Sequence, residues 1–420
     1  MAREIQRRDV LKGAGAAGIV GLSGCLDSLG GGGGGGSRSI QYGVLAAETG
    51  DLSSVGIPIR DAATLPGKQL NNNSDFGTEI DFQVEDTATT PQTGINAANT
   101  LANAGYPAIS GPLSSGVNVP VCNQVLVPNE VVGCSPSSTT PTLTDLEDDD
   151  FIYRTCPSDA LQGQVLAQVG AEDLGGSTAA TLYINNDYGQ LLSQSFASSF
   201  ENNGGTVQTQ VSMESEQSSY TSPLRQALSD NPDVLVVIGY PASGIQLFTD
   251  YYADFYNDGN SEQVLVTDGL KDPDMQEQVG NPMENVTGTA PSAAGPARDE
   301  FNSLYQDEYG ESPGIFTAQS YDSGAVLILA NAAAGENSGA AVKAEMRNVA
   351  NPGGMEVTPN NLAEGVQAAM DGEEVQYLGA SSSVNFDDNG DMGAVAYDVW
   401  EFAPGTESGV EVTDTVNFEA

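Results

Sequence analysis

Several short segments carry hydroxyl, phenol or carboxylate groups where an α/β protein presents them to a ligand. Ser110-Gly111-Pro112-Leu113-Ser114-Ser115-Gly116 follows the apolar pair Ala108-Ile109, and Ser135-Pro136-Ser137-Ser138-Thr139-Thr140-Pro141 follows Val131 to Cys134. Both offer hydroxyls and backbone N–H groups near a helix or turn start, which holds a carboxylate without a formal cation. Asn186-Asp187-Tyr188-Gly189 follows Ala179 to Ile184, Gly239-Tyr240-Pro241 follows Val234 to Ile238, and Asp268-Gly269 follows Val264 to Thr267. These add two aromatic walls and one carboxylate. In α/β sheets ligands sit beyond the carboxyl ends of strands, so the set suits a zwitterion. Hydroxyls and amides would take its carboxylate; Asp268 and tyrosine oxygens would take its ammonium.

Other chemistry is excluded by what the chain lacks. None of its 420 residues is histidine, which removes Ser-His-Asp and Cys-His catalysis and imidazole metal ligands. No G-x-S-x-G elbow occurs, so an exported hydrolase is disfavoured and no enzyme is expected. Gly13-Ala14-Gly15-Ala16-Ala17-Gly18 fits the dinucleotide pattern but lies between an arginine pair and a cleavage site, without a strand before it, so no cofactor is expected. Asp387, Asn389 and Asp391 have the spacing of the first ligands of a calcium loop. Met392 stands where the loop needs glycine and Asp398 where it needs glutamate, so the segment reads as a turn and no metal is expected. Among Cys122, Cys134 and Cys156 there is no C-x-x-C. Cys134 and Cys156 each end an expected strand, and a disulfide between them, leaving Cys122 free, is the expected pairing.

Charge and the N-terminus define the setting. The chain carries 57 acidic against 13 basic side chains, a net charge of -44, which disfavours nucleic acid as a partner and reads as adaptation to molar salt. Four of the basic residues, Arg3, Arg7, Arg8 and Lys12, lie at the very start. Arg7-Arg8, the apolar run Gly13 to Leu22 and Leu22-Ser23-Gly24-Cys25 form a bipartite export signal, too short to span a bilayer. It resembles a twin-arginine signal with a lipobox, which implies cleavage before Cys25 and a lipid on its sulfur. The seven glycines Gly30 to Gly36 read as a flexible stalk. The expected organisation is a signal over 1–24 and a lipidated, glycine-rich linker over 25–38.

The elements that must position the hydroxyls and acids follow from periodicity. Short apolar runs alternate with helix-period segments from Ser39, which predicts parallel sheets covered by helices. Strands are expected at Ile40–Leu45, Ile80–Val84, Ala108–Ile109, Val131–Cys134, Phe151–Thr155, Ala179–Ile184, Val207–Val211, Val234–Ile238 and Val264–Thr267. Helices are expected at Pro91–Ala104, Leu161–Leu174, around Leu192, Phe196 and Phe200, and at Arg298–Tyr309, Thr317–Ala334, Ala340–Val349 and Asn360–Met370. So many strands point to two sheets rather than one. In the tail, Val384–Phe386, Ala394–Phe402 and Val410–Val416 alternate apolar and polar residues and read as half-exposed strands.

From Ile40 to about Phe402 the order and spacing of landmarks resemble a type I periplasmic binding protein of the branched-chain amino acid receptor group. The landmarks are Thr49-Gly50 with Val55-Gly56, Glu85-Asp86 before Pro91, Gly111-Pro112-Leu113-Ser114-Ser115, Ser135-Pro136-Ser137-Ser138-Thr139, Phe151 to Thr155, Asp187-Tyr188-Gly189, Tyr321-Asp322-Ser323 and Phe386-Asp387 with Gly390-Asp391. Pro58 to Ala63 stands where the family usually has a glycine- and alanine-rich helix start. The resemblance implies two Rossmann-like lobes, 39–157 plus 289–382 and 158–288 plus 383–420. Crossovers are placed near Cys156–Asp159, Asn285–Pro291 and Gly379–Asn385. It implies that Ser114 or Ser115, with Ser137 and Thr139, binds a ligand carboxylate. Tyr188 and Tyr240 become cleft tyrosines, and Asp268 takes the place of an acid, often glutamate, that pairs with the ammonium. It further implies a lipid-anchored, extracytoplasmic, monomeric receptor of haloarchaeal type that captures an amino acid and passes it to ABC permease subunits. Amide, urea-like or aromatic acid ligands, or service as a ligand sensor for a signalling partner, are the alternatives.

Overall fold

The computed structural model describes residues 38–256, 262–406 and 409–419, so the expected export signal, Cys25 and the glycine stalk lie outside the described residues. The chain opens with β1 (Ile40–Ala46), α1 (Ser53–Asn72), β2 (Ile80–Asp86), α2 (Pro91–Ala104), β3 (Ala108–Ser110), α3 (Ser115–Val121), β4 (Val132–Ser135) and β5 (Ile152–Arg154). The strands form one parallel sheet in the order β2-β1-β3-β4-β5. Then come α4 (Asp159–Gln168), β6 (Thr178–Ile184), α5 (Asp187–Asn202), β7 (Thr206–Met213), α6 (Thr221–Ala227), β8 (Val234–Ile238), α7 (Pro241–Asp254), β9 (Gln263–Val266), α8 (Met275–Val279) and β10 (Val286–Pro291). These strands build a second parallel sheet, β7-β6-β8-β9-β10. β8 is Val-Leu-Val-Val-Ile and buried at every position, as a strand covered by helices on both faces must be.

The chain returns to the first sheet with α9 (Arg298–Tyr309), α10 (Thr317–Ala334), α11 (Gly339–Ala350), β11 (Met355–Val357), α12 (Leu362–Met370) and β12 (Val375–Tyr377). It ends with β13 (Ala394–Phe402) and β14 (Val410–Glu419). β13 pairs antiparallel with β10 and β14 antiparallel with β13, so the tail extends the second sheet. α10 is buried around its whole circumference over most of its length because it packs between the first sheet, α1, α11 and α12.

One helix was not expected, and three expectations need correction. α1 begins at Ser53, ahead of Pro58, and carries Pro58 and Pro66 inside it; burial of Val55, Ile59, Ala62, Leu65 and Leu70 outweighs what the prolines cost. Residues 285–291 are not a crossover, since β10 is hydrogen-bonded in the second sheet to Pro291; the chain leaves at 292–297, where Ala294, Gly295 and Ala297 donate to Ser381, Ala380 and Gly379. Val384–Phe386 is not a strand: Phe386 bridges only to Met392, and Val384 and Phe386 are buried in the first core, the latter edge-on to Tyr153. The cause is Arg154, almost fully buried, whose Nε and Nη2 donate to Asp391 at 2.6 and 2.8 Å and hold residues 386–392 against β5, so the third crossing falls just before Ala394. Cys134 and Cys156 are free; Cys134 is buried in the first core and Cys156 in the second, so the two sulfurs belong to different cores.

Candidate functional site

The first wall comes from the loops after β3 and β4. Gly111 has φ +108°, and a Cβ there would lie 2.4 Å from the Leu45 carbonyl oxygen, so the turn that delivers Ser114 needs glycine. Ser114 precedes α3 and Ser115 starts it. The loop after β4 is fastened to this turn: Ser135 Oγ donates to Pro112 O at 2.6 Å and Ser137 Oγ to Leu113 O at 3.1 Å. Ser115 Oγ accepts from Thr140 N at 3.3 Å. Ser114, Ser115 and Ser137 are thereby gathered on one wall.

The opposite wall comes from the second sheet. Asn186 caps α5, its Oδ1 accepting from Gly189 N at 3.0 Å, which sets Tyr188 at the start of the helix. Tyr240 precedes α7, and its ring stacks on Tyr188 at 5.5 Å with 8° between planes. Asp268 follows β9, and Tyr188 Oη donates to its Oδ1 at 3.1 Å and shares a 2.7 Å bond with Thr267 Oγ1. A Cβ on Gly269 would lie 2.3 Å from Gly239 O, so this tight approach also needs glycine.

Between the walls lies a narrow cavity, lined by Ser114, Ser115, Ser137, Tyr188, Tyr240 and Asp268 and by Leu52, Val55 and Ile59 of α1 with Leu113, Ile315 and Phe316. The two halves touch over it. Ser114 Oγ and Tyr240 Oη are 3.0 Å apart, Ser243 N and Oγ donate to Asp51 at 2.8 and 2.6 Å, and Ser54 Oγ donates to Asp272 at 2.5 Å. The first wall supplies serine hydroxyls, the second two phenols and a carboxylate, and the remainder of the lining is apolar. Burial pushes the Asp268 carboxyl up to about 6, against Gln162, Tyr188 and Lys271, which hold it down. Burial likewise raises the Tyr188 and Tyr240 phenols, so both are neutral hydrogen-bonding groups.

Thr139 is not on the cavity wall. It is buried behind it, its carbonyl accepting from Asp159 N at 2.8 Å. Asp159 is a residue that sequence reasoning missed: fully buried, and held well above the usual carboxylate range by burial and then by Asp268, against Thr139 and Arg154, which hold it down. Its one sequence signal, an acid in the first turn after Ser158, is also what an ordinary helix start displays.

A family model described as "Periplasmic binding protein" matches residues 39–371. The chain belongs to that family. It is a type I periplasmic binding protein of the branched-chain amino acid receptor group, and members of this family bind ligands outside the cytoplasm and are not enzymes. This binding protein is 24% identical over 315 residues to the chemotactic signal transduction system substrate-binding protein BasB of Halobacterium salinarum, covering 74% of this chain and 73% of that one. It is 27% identical over 208 residues to a Leu/Ile/Val-binding protein homologue of Brucella melitensis, covering 49% of this chain and 55% of that one. Its fold is similar to the crystal structure of the leucine-binding protein LivK of Thermotoga maritima, with a TM-score of 0.74, 24% identity, and coverage of 90% and 98% of the two chains.

Proposed function

We propose that this protein is the substrate receptor of an ABC importer, capturing a branched-chain amino acid or a related small zwitterion between two lobes that close on it. The carrying observation is the make-up of the cavity lining: serine hydroxyls from one wall, a buried carboxylate and two phenols from the other, and aliphatic side chains for the rest. Ser114, Ser115 and Ser137 bind the ligand carboxylate, Asp268 its ammonium, and Tyr188 and Tyr240 form the polar edge. Thr139 supports the loop from behind. Leu52, Val55, Ile59, Leu113 and Phe316 surround the side chain. The lobes are built on the two sheets, and the three crossings at 155–158, 292–297 and 392–393 are the hinge. Ligand contacts made to both lobes favour the closed form, and only that differential affinity drives closure. A lipid on Cys25 would hold a monomeric receptor at the membrane, beside permease subunits.

The similarity to BasB supports a second reading, in which the same closed form reports the ligand to a signalling partner. Calorimetry on the purified protein in molar salt, against leucine, isoleucine, valine, short amides, urea and benzoate, tests the first. An aliphatic amino acid is expected to bind. Asp268→Ala is expected to cost about 3–5 kcal/mol, over a hundredfold in Kd, because it strands a buried ammonium. Binding of amides or benzoate alone would overturn the zwitterion assignment. Co-purification with permease subunits or with a transducer separates the two readings.

A further inference from the structure

The acceptor pattern for N-linked glycans, Asn-x-Ser/Thr, occurs twice in the chain, at Asn72-Asn73-Ser74 and at Asn285-Val286-Thr287. The pattern alone does not separate the two, but the fold does. Asn285 stands just before β10 with its amide committed: Oδ1 accepts from Tyr252 Oη at 2.7 Å, and Nδ2 donates to Tyr251 Oη at 3.4 Å. Val286 and Thr287 lie inside the second sheet, Val286 paired with Val264 of β9, and Thr287 with Leu265 of β9 on one side and Glu401 of β13 on the other. A transferase could reach that asparagine only by pulling a strand out from between its two neighbours.

Asn72 is the opposite case. It is the last residue of α1, and Asn73 leaves the helix with extended backbone, φ -83° and ψ 106°. Asn72, Asn73 and Ser74 are all exposed, and the Asn72 amide enters no hydrogen bond among the described residues. Its neighbours hold the turn instead. Asn71 Nδ2 donates to Ile80 O at 2.8 Å and its Oδ1 accepts from Ile80 N at 2.9 Å, while Asn73 Oδ1 accepts from Asp75 N at 3.0 Å. The acceptor nitrogen is therefore free on a loop that is itself fixed. It is also remote from the cleft. Ile59, which lines the cavity, lies earlier on α1, and at 1.5 Å per residue Asn72 is about 20 Å further along the helix. Ile80 pairs with Ile40 at the start of β1, so Asn72 sits at the end of the first sheet opposite the loops that carry the serine wall.

We propose that Asn72 is a site of N-glycosylation and that Asn285 is not, the modification being made on the folded chain outside the cytoplasm. The co-substrate is an oligosaccharide linked to a polyisoprenyl phosphate or diphosphate in the membrane, and a membrane transferase supplies the base. Asn72 Nδ2 attacks the anomeric carbon of the sugar. The new C–N bond forms as the bond from that carbon to the phosphate oxygen breaks, the lipid phosphate leaves with the electron pair, and one amide proton passes to the base. Nothing is oxidised or reduced. The product is a bulky, solubilising group on the pole away from the cleft, where it leaves ligand capture untouched. The inference rests on the extracytoplasmic part of the functional reading and not on which ligand the cleft takes.

The test is mass spectrometry of protease digests of the full chain, purified from the cells that naturally make it. The peptide that contains Asn72 is expected to carry a glycan and the peptide that contains Asn285 to be bare. Ser74→Ala, which leaves Asn72 in place, should abolish the glycan, and Ser74→Thr should retain it; a chemical change of the asparagine unrelated to the acceptor pattern would not tell these two variants apart. Leucine affinity of Ser74→Ala, measured by calorimetry in molar salt, should stay within about twofold of the wild type. A bare Asn72 in the wild type would overturn the inference and leave the receptor reading standing. A glycan on Asn285 would overturn the order of events, because that amide is reachable only before β10 is paired. Failure of leucine, isoleucine and valine to bind would bring down the ligand assignment alone, and a glycan found at Asn72 would still support the site.

Discussion

Asp268 is a carboxylate kept where it is costly. Burial lifts it to about 6, so between its ordinary value and 6 the folded protein binds more protons than the unfolded chain. Its contribution to stability is full below the unfolded value and is lost as pH rises through 6. Removing the charge should therefore stabilise the empty protein. Asp268→Asn, whose amide oxygen can still accept from Tyr188, is expected to raise the Tm of the empty form at pH 7 by a few degrees. The gain should shrink toward pH 4, while leucine no longer shifts the melt. A lower Tm at pH 7 would mean that Gln162, Tyr188 and Lys271 together stabilise the ionised carboxylate by more than burial costs it. Tyr240 tests the other end of the same contact set. Tyr240→Phe deletes the bonds to Ser114 and Asn186 and keeps the stacked ring. It should weaken ligand binding by about 0.5–1.5 kcal/mol per bond, as a faster off-rate; an unchanged off-rate would remove those bonds from the closed state.

At the scale of elements, closure has fastenings that never meet the ligand. Asp51, in the loop after β1, accepts from Ser243 N and Oγ at the start of α7, and it lines no part of the cavity. Asp51→Ala should lower leucine affinity roughly ten- to a hundredfold by destabilising the closed form alone, with unfolding of the empty protein little changed; undiminished affinity would show that α7 closes without it. How much of this was legible depended on whether pattern and packing agree. β1, β6, β8 and β9 are short apolar runs because helices cover both faces of their sheets, and the wall residues could be read from the positions directly after those runs. α1 was hidden by Pro58 and Pro66, whose local cost is offset only by tertiary burial. Val384–Phe386 carries a strand's alternation but owes its burial to the first core and to the grip of Arg154 on Asp391. Asp159 was invisible because an acid in a first helical turn usually faces water, and only the fold shows that this one does not.

The whole molecule sets a net charge of -44 against few compensating pairs. Among the described residues Arg60 pairs with Glu48 and Asp61, Arg154 with Asp391, and Arg347 with Asp150. Most acids therefore repel one another across the surface, an interaction with a range of about 10 Å at 0.1 M salt and about 3 Å at 1 M. Thermal melts in KCl should rise steeply up to about 1 M and then level off, because screening saturates once the Debye length is shorter than the spacing between charges. A rise that continues linearly to 3 M, and is larger in sulfate, would instead point to salt excluded from the surface. The cleft should behave differently. Its acids are buried and the ligand carries no net charge, so leucine affinity at fixed pH should change by less than about tenfold across the salt range over which stability changes strongly. Should affinity fall in step with stability as salt is withdrawn, repulsion between the acidic lobes would oppose closure itself, and salt would then act as a second effector of the binding cycle.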